Sequence, residues 1–355
     1  MDGLAWRRMG GGNMSIIGNG KRYGEHKFPT EKDFEDDVVS SSKVLFGTST
    51  IYINAKKKIE SKSLGGTIPD AFFFDFSDPA DTQFYIVEVE LSRHRFFEHI
   101  FPQVTKFFAF FKNKKQQKAL VDKLFAVIDT DNSLKGEFKK YLGQAEIYKF
   151  LSDIVDSSQN ILLVADGVIA ELPEIMDTYT DTWGKMVRYL EVKKYVNGGD
   201  TIYSITPDFE TLQYTEIVGE PADEEVEEIE RPKYSEEYHL DGVSAFSKEI
   251  YNRIKIIAFN VDKTLVFNPQ KYYISIKANK NIAFIIIRNK KVRFIVMMPE
   301  EEIRRCIKRY PVASLSAPVQ GFYNGPCASV DMSNLDGVDE LPALIQRMIE
   351  YNQAH

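Results

Sequence analysis

Six residues, Ala71-Phe72-Phe73-Phe74-Asp75-Phe76, are too uniformly apolar for a strand with one wet face and too few for a helix. They predict a strand covered on both sides. Ser77, Asp78, Pro79 and Asp81 mark a turn, and residues 84–91, Phe-Tyr-Ile-Val-Glu-Val-Glu-Leu, predict a second strand antiparallel to the first. Upstream, Thr30 reads as an N-cap and Glu31, Asp33 and Glu35 as acidic first turns, predicting a helix over residues 31–42. Thr50-Ile51-Tyr52-Ile53 predicts a strand, Lys56-Lys57-Lys58 a basic turn and Gly65-Gly66 a break. Downstream, Pro102 opens or breaks a helix that Val104, Phe107, Phe108 and Phe111 carry over residues 103–111, with another helix over 118–127. Residues 161–165 predict a buried strand, 171–182 a helix, and 187–195 with 201–205 a hairpin. The order is αβββαβ with additions, an α/β core in which helices cover a mixed sheet.

The pattern divides the chain. Residues 1–27, with Gly10-Gly11-Gly12 and no periodicity, read as a flexible N-terminal arm in which Met14 is an alternative start. Residues 28–210 form the α/β domain. Residues 211–235 carry two basic and eight acidic residues with Pro221 and Pro232, and read as an acidic linker with little to bury. Residues 236–355 predict a separate α+β domain: a helix over 247–257, strands over 272–277, 282–288 and 292–298, a helix from Pro299 to about Arg309, a β segment over 314–322 and a last helix over 339–351.

Composition narrows the setting. A chain of 355 residues, 43% hydrophobic and 27% charged, is long enough for two cores. No run of 18 apolar residues occurs, and the first 30 residues lack the apolar stretch of a signal peptide, so neither a membrane span nor secretion is expected. Two cysteines, Cys306 and Cys327, exclude a disulfide scaffold and a cysteine zinc site, and fit a reducing cytoplasm. The net charge of −7 comes largely from the linker and does not argue against an anionic partner. Residues 91–120 hold seven Lys and Arg against Glu98 alone, and residues 277–309 hold ten against Glu300, Glu301 and Glu302. Each stretch is either a solvated surface or a groove that tracks phosphates.

Most informative is Pro69-Asp70 followed 18 residues on by Glu88-x-Glu90. Alternation puts Glu88 and Glu90 on one face of a strand, and a hairpin brings Asp70 close to that face. Two carboxylates among Tyr85, Ile86, Val87, Val89 and Leu91 are costly unless something positive faces them. A divalent cation is the economical solution, and oxygen-only ligands favour Mg²⁺ or Mn²⁺. The other solution is purely structural, with Glu88 and Glu90 paired to Arg93, Arg95 or lysines.

The arrangement resembles the PD-(D/E)XK nuclease superfamily over roughly residues 28–210, with Pro69-Asp70…Glu88-Val89-Glu90 as its signature. The resemblance implies a restriction-endonuclease-like αβββαβ core and a Mg²⁺-dependent nuclease acting on DNA in prokaryotic restriction, defence or repair. It assigns Asp70 and Glu88 to the metal, with the Val89 carbonyl as a further ligand. Glu35 on the first core helix completes the shell, ahead of Asp36 and Glu31. Gln103-Val104-Thr105-Lys106-Phe107 matches a Gln-x-x-x-Tyr-like element with Phe for Tyr, so Gln103 and Lys106 would position phosphates. Glu90 stands where the family usually has Lys. Some restriction enzymes of the superfamily share that change, and Glu90 would then orient the attacking water or bind a second metal. A lysine from elsewhere, such as Lys106, is the other way to supply the charge. Cutting both strands would favour a homodimer. A catalytically degenerate nuclease fold that binds DNA or protein is the alternative.

Residues 236–355 resemble a small domain of unknown function found beside such nucleases, through Tyr234-Ser235-Glu236-Glu237-Tyr238-His239-Leu240 and residues 271–277. Its Tyr272, Tyr273 and Phe284 read either as core or as a grip on nucleic acid. His94 and His99 follow the motif and either approach a phosphate or sit on the surface. Asp75, at an odd offset from Asp70, falls on the opposite face. Cys306, beside Arg304 and Arg305, reads as an activated or, better, a buried thiol. Gly10-Gly11-Gly12 lacks the Gly-Lys-Ser/Thr of a P-loop.

Overall fold

Phe73 and Phe74 are neighbours in sequence and point to opposite faces of one strand, where both are fully buried. The Phe73 ring meets Phe46, Tyr52, Tyr85 and Phe209, whereas Phe74 meets Phe84, Phe138 and Phe150. Helices therefore cover both faces of this sheet, which explains the unbroken apolar run. The structure is a computed structural model that describes residues 14–58, 68–78, 82–143, 145–212, 234–270, 272–323 and 325–354. The chain divides into two compact units, Met1–Phe209 and Glu210–His355.

In chain order the first unit contains β1 (Ser15–Gly18), β2 (Lys21–His26), α1 (Glu31–Phe46), β3 (Thr50–Asn54), the short α2 (Ala55–Lys58), β4 (Ala71–Asp75) and β5 (Gln83–Glu90). Four helices follow: α3 (Ile100–Phe111), α4 (Lys114–Thr130), α5 (Asn132–Leu142) and α6 (Ile147–Ser157). Then come β6 (Asn160–Ala165), α7 (Leu172–Thr178), a π-helical turn Thr180–Gly184, β7 (Val187–Asn197) and β8 (Asp200–Thr206). The sheet order is β1-β2-β7-β6-β5-β4-β3, with β8 on the other side of β7. β5, β6 and β7 run parallel to one another, and the remaining pairs are antiparallel. This is the expected αβββαβ order in a mixed sheet. Thr30 caps α1 through a capping box with Asp33, and α1 runs four residues beyond the expected end at 42.

Two expectations for this unit change. Residues 15–26 of the presumed flexible arm form the β1–β2 hairpin, and β2 pairs with β7 through Gly24↔Val196 to His26↔Lys194. Its two-residue loop is Asn19-Gly20, with φ of 50° and 74°, the left-handed pair that a tight right-twisted hairpin needs. Between Phe111 and β6 the chain forms α4, α5 and α6, where a single helix is expected; Ile147, Leu151, Ile154 and Val155 bury one face of α6. The Gly10-Gly11-Gly12 run and the Gly65-Gly66 break, like residues 213–233 of the acidic linker, lie outside the described residues.

The second unit contains α8 (Glu236–Leu240), α9 (Ala245–Val261), β9 (Val266–Pro269), β10 (Ile274–Lys277), β11 (Asn281–Ile287), β12 (Val292–Val296), α10 (Glu300–Cys306), β13 (Val312–Ser314), α11 (Ala317–Phe322), β14 (Ala328–Met332) and α12 (Leu341–Ala354). Its sheet, β13-β14-β12-β11-β10-β9, is antiparallel throughout. Ile250, Ile254, Leu344 and Ile345 pack on one face, and Phe284, Ile286, Ile295, Val319 and Cys327 form a smaller cluster. The expected β segment over 314–322 is instead the end of β13 followed by α11. Pro318 has no N–H to give a ladder but costs nothing in a helix's first turn.

Candidate metal centre

The β4–β5 register, Ala71↔Val87, sets Asp70 level with Glu88. Asp70 is pinned from three directions. Its N–H donates to the Val87 carbonyl (3.1 Å), its carbonyl accepts from the Ala55 N–H (2.9 Å), and its Oδ2 accepts from the Val89 N–H (2.6 Å). Asp70, Glu88 and Glu90 are 4%, 4% and 1% exposed. Three carboxylates thus meet at one end of an apolar strand pair, where an ionised group without a partner is expensive.

A lysine and a histidine approach them. Lys56 on α2 forms ion pairs with Asp70 Oδ1 and with Glu35 Oε1 (2.9 Å), and lies 4.0 Å from Glu31 Oε1. His94 Nδ1 lies 2.8 Å from Glu90 Oε2 and 3.4 Å from Glu31 Oε2. Glu31 and Glu35 are one turn apart on α1, so one helix face serves both groups. Glu31, Glu90 and His94 each offer a ligand atom within 4.8 Å of the others.

Burial dominates the protonation of this cluster. It pushes Asp70 up to about 7 despite the opposing Lys56 charge. It drives Glu88 well above the usual carboxylate range, with the Asp70 and Glu90 charges adding to it. Glu90 is raised by burial, against His94, and Glu31 is raised by burial and then by Glu90. Burial opposes the Lys56 charge, but Asp70 and Glu35 more than compensate and hold the ammonium above its ordinary value. Glu88 Oε2 is buried without a hydrogen-bond partner among the described residues. A protein rarely leaves such an acceptor unserved, and a hard cation is the ligand an all-oxygen set with one orphaned carboxylate oxygen fits.

Of the residues expected in the site, Asp70, Glu88, Glu90 and Glu35 converge. Glu31, ranked behind Glu35, joins them through His94, whereas Asp36 turns to Lys32 (2.7 Å). Val89 is seen contributing its N–H to Asp70. Asp75 sits at the far end of β4 and accepts from the Ser77 N–H. Gln103 and Lys106 lie on α3 and, among the described residues, make no hydrogen bond or ion pair with the carboxylates. Lys106 is exposed, and the lysine that reaches the carboxylates is Lys56. The structural alternative for Glu88 and Glu90 also changes. The Arg93 guanidinium donates to the Phe28 and Pro29 carbonyls, and Arg95 pairs with Glu98, so neither arginine serves the strand.

The basic stretches resolve differently. In residues 277–309, Lys291 and Arg293 are buried on Asp331, while Arg304, Arg305 and Arg309 pair with Glu300, Glu302 and Glu340. That leaves little of a phosphate groove. In residues 91–120, Lys106, Lys112, Lys115 and Lys118 stay exposed and, among the described residues, outside any ion pair. Phe284 is core, 4% exposed and stacked on Tyr323 at 4.4 Å. Burial pushes the Cys306 thiol up, so its arginine neighbours do not activate it.

No family model matches the chain, and no solved structure matches it. One curated relative from Haemophilus influenzae, described as an uncharacterized protein, is 22% identical over 204 residues, covering 57% of this chain and 67% of its own length.

Proposed function

We propose that residues 28–210 form a metal-dependent nuclease of the PD-(D/E)XK kind, hydrolysing DNA phosphodiester bonds in prokaryotic restriction, defence or repair. The observation that carries this reading is the meeting of Asp70, Glu88 and Glu90 at one strand end with Glu35 and an ammonium from α2. The sheet supports it: α1, β3, β4 and β5 come before the helices and β6, the αβββαβ succession in a mixed sheet that the resemblance implies. A reducing cytoplasm suits the two free thiols, and no helix among the described residues is long and apolar enough to cross a membrane.

Asp70, Glu88 and Glu35 would hold Mg²⁺ or Mn²⁺, which supplies Lewis-acid polarisation of the phosphate and acidifies water. The chain's own residues do the rest. Lys56, kept charged by Asp70 and Glu35, offsets negative charge that develops on the phosphoryl oxygens, the role Glu90 cannot take. Glu90 and His94 share a hydrogen bond and together accept the proton of the attacking water. Incubation with plasmid, linear duplex and single-stranded DNA in Mn²⁺ tests this. Asp70→Asn and Glu88→Gln should each abolish cleavage while remaining folded, and unchanged cleavage by both rejects the assignment.

One observation favours a second reading. Lys56 already supplies one positive charge to Asp70 and Glu35, so part of their charge is offset without an ion. A degenerate fold that binds DNA or protein without cutting would keep that ion pair. Melting with and without millimolar Mg²⁺ separates the two, because an ion that binds only the folded state raises the midpoint. No shift, with salt-sensitive DNA binding and no cleavage, selects the binding module.

A further inference from the structure

Immediately after the metal-site strand, the chain carries aromatic rings that the proposed chemistry does not use. Phe96 is buried, 1% exposed, whereas its neighbour Phe97 is 60% exposed. The Phe97 ring touches Phe96 (5.2 Å) and Phe101 (5.9 Å). Phe101 lies flat on the buried Trp183, with centroids 5.3 Å apart and planes 11° apart, and it also meets Phe96 and Tyr179, each at 6.0 Å, of which Tyr179 is 46% exposed. The rings therefore climb from the core at Trp183 to two solvent-facing edges, Phe97 and Tyr179.

The segment is not a loose loop in which an apolar ring strays outward. Ser92 N–H donates to Asp166, His94 N–H to the Leu91 carbonyl, His99 N–H to the Arg95 carbonyl and Phe101 N–H to the Phe96 carbonyl. Arg93 ties the segment to the Phe28 and Pro29 carbonyls. The backbone thus holds Phe97 outward. The same segment carries His94, hydrogen-bonded to Glu90, three residues before Phe97. The ledge thus begins on the segment that leaves the metal-site strand, where Arg95 pairs with Glu98 and Lys106 lies exposed on α3.

A flat apolar ring held in water, three residues after a histidine bonded to the carboxylate cluster, matches a nucleobase with a free face. Bases inside a duplex have both faces stacked on neighbours. We propose that Phe97 and Tyr179 form a stacking ledge for unpaired nucleotides beside the scissile phosphate, so that the preferred substrate is single-stranded DNA. This rests on the nuclease reading above.

Fluorescence anisotropy of the full chain in calcium tests it, using one labelled oligonucleotide as a single strand and as a duplex. Wild type should prefer the single strand. Phe97→Ala should weaken that binding about tenfold, as the loss of one base–aromatic stack does, and leave duplex binding unchanged. Phe97→Trp should restore it, and Tyr179→Ala should repeat the loss. Wild-type single-strand affinity in both alanine variants overturns the ledge; if Asp70→Asn still abolishes metal-dependent cleavage, the nuclease reading stands without it. Failure of wild type to bind or cut either DNA overturns both.

Discussion

Lys56 Nζ lies 2.9 Å from Glu35 Oε1 and joins a helix acid to the buried Asp70, which no stretch of neighbouring sequence connects. Its ammonium stands close to where a metal would sit, so it either assists the ion or replaces it. Lys56→Met distinguishes these. If Lys56 assists, the variant cuts DNA about 10²–10³-fold more slowly, the usual cost of losing one group that stabilises transition-state charge. Its melting point still rises with Mn²⁺, by at least as much as wild type, because a competing cation has gone. Cleavage at the wild-type rate would leave Lys56 as a structural counter-ion.

Burial lifts Asp70 to about 7, and the sign of its effect on stability follows. The folded protein holds the proton more tightly than the unfolded chain, whose aspartates titrate near about 3.9. Stability is therefore greatest at and below that unfolded value, declines as pH climbs to about 7, and takes no further loss from Asp70 above it. Mn²⁺ needs the ionised carboxyl, so its stabilising effect runs the other way and grows from pH 5.5 to 8. Thermal melts across that range, with and without Mn²⁺, check both slopes. Asp70→Asn should lessen the first, to which the raised Glu88, Glu90 and Glu31 also contribute, and remove the second.

Much of this was legible in the residues. Apolar density gave the β4–β5 hairpin, and the cost of burying Glu88 and Glu90 in a core strand pointed to a cation. Lys56 was hidden by reading residues 56–58 as a turn, yet topology places it. Antiparallel pairing of β3 with β4 matches Asn54 to Ala71, so the residues just after one strand must lie beside those just before the other. His94 was ambiguous because its role depends on how the chain turns after Glu90, which hydrogen bonds to Leu91 and Asp166 settle. Which reading fits the basic stretch at 277–309 is not written in its residues, because charge runs do not reveal where their counter-ions sit. Asp331 lies 38 residues from Arg293.

The β1–β2 hairpin had a readable signal in Asn19-Gly20, set against a Gly-rich and basic surrounding. Gly20 adopts φ of 74° with open space where a Cβ would stand, so a side chain there meets backbone strain alone. Gly20→Val should cost about 1–2 kcal/mol in urea denaturation. Asn19→Gly should be nearly neutral. A free arm at residues 15–26 would show no loss with valine, and that result would contradict the pairing of β2 with β7.

Asp331 offers a test confined to the second unit. It is buried on β14 opposite Arg293 on β12, with Arg293 Nε 3.0 Å and Lys291 Nζ 3.0 Å from its oxygens. Burial alone would raise its pKa, but Arg293 and Lys291 override that and hold the carboxyl below its ordinary value. A depressed acid contributes stability that is complete above the unfolded pKa and is lost as pH falls through the folded one. Asp331→Asn takes the carboxylate away from two buried cations and should cost about 3 kcal/mol at neutral pH. The gap from wild type should narrow below pH of about 4, where the wild-type carboxyl begins to protonate. Adding Arg293→Met and Lys291→Met to Asp331→Asn should recover much of the loss, because well-packed apolar groups replace a buried ion cluster at little cost. Urea titrations at pH 7 and at about pH 2.5 read all three effects. A gap that widens in acid would mean that the two cations, not the carboxylate, set the stability of this sheet.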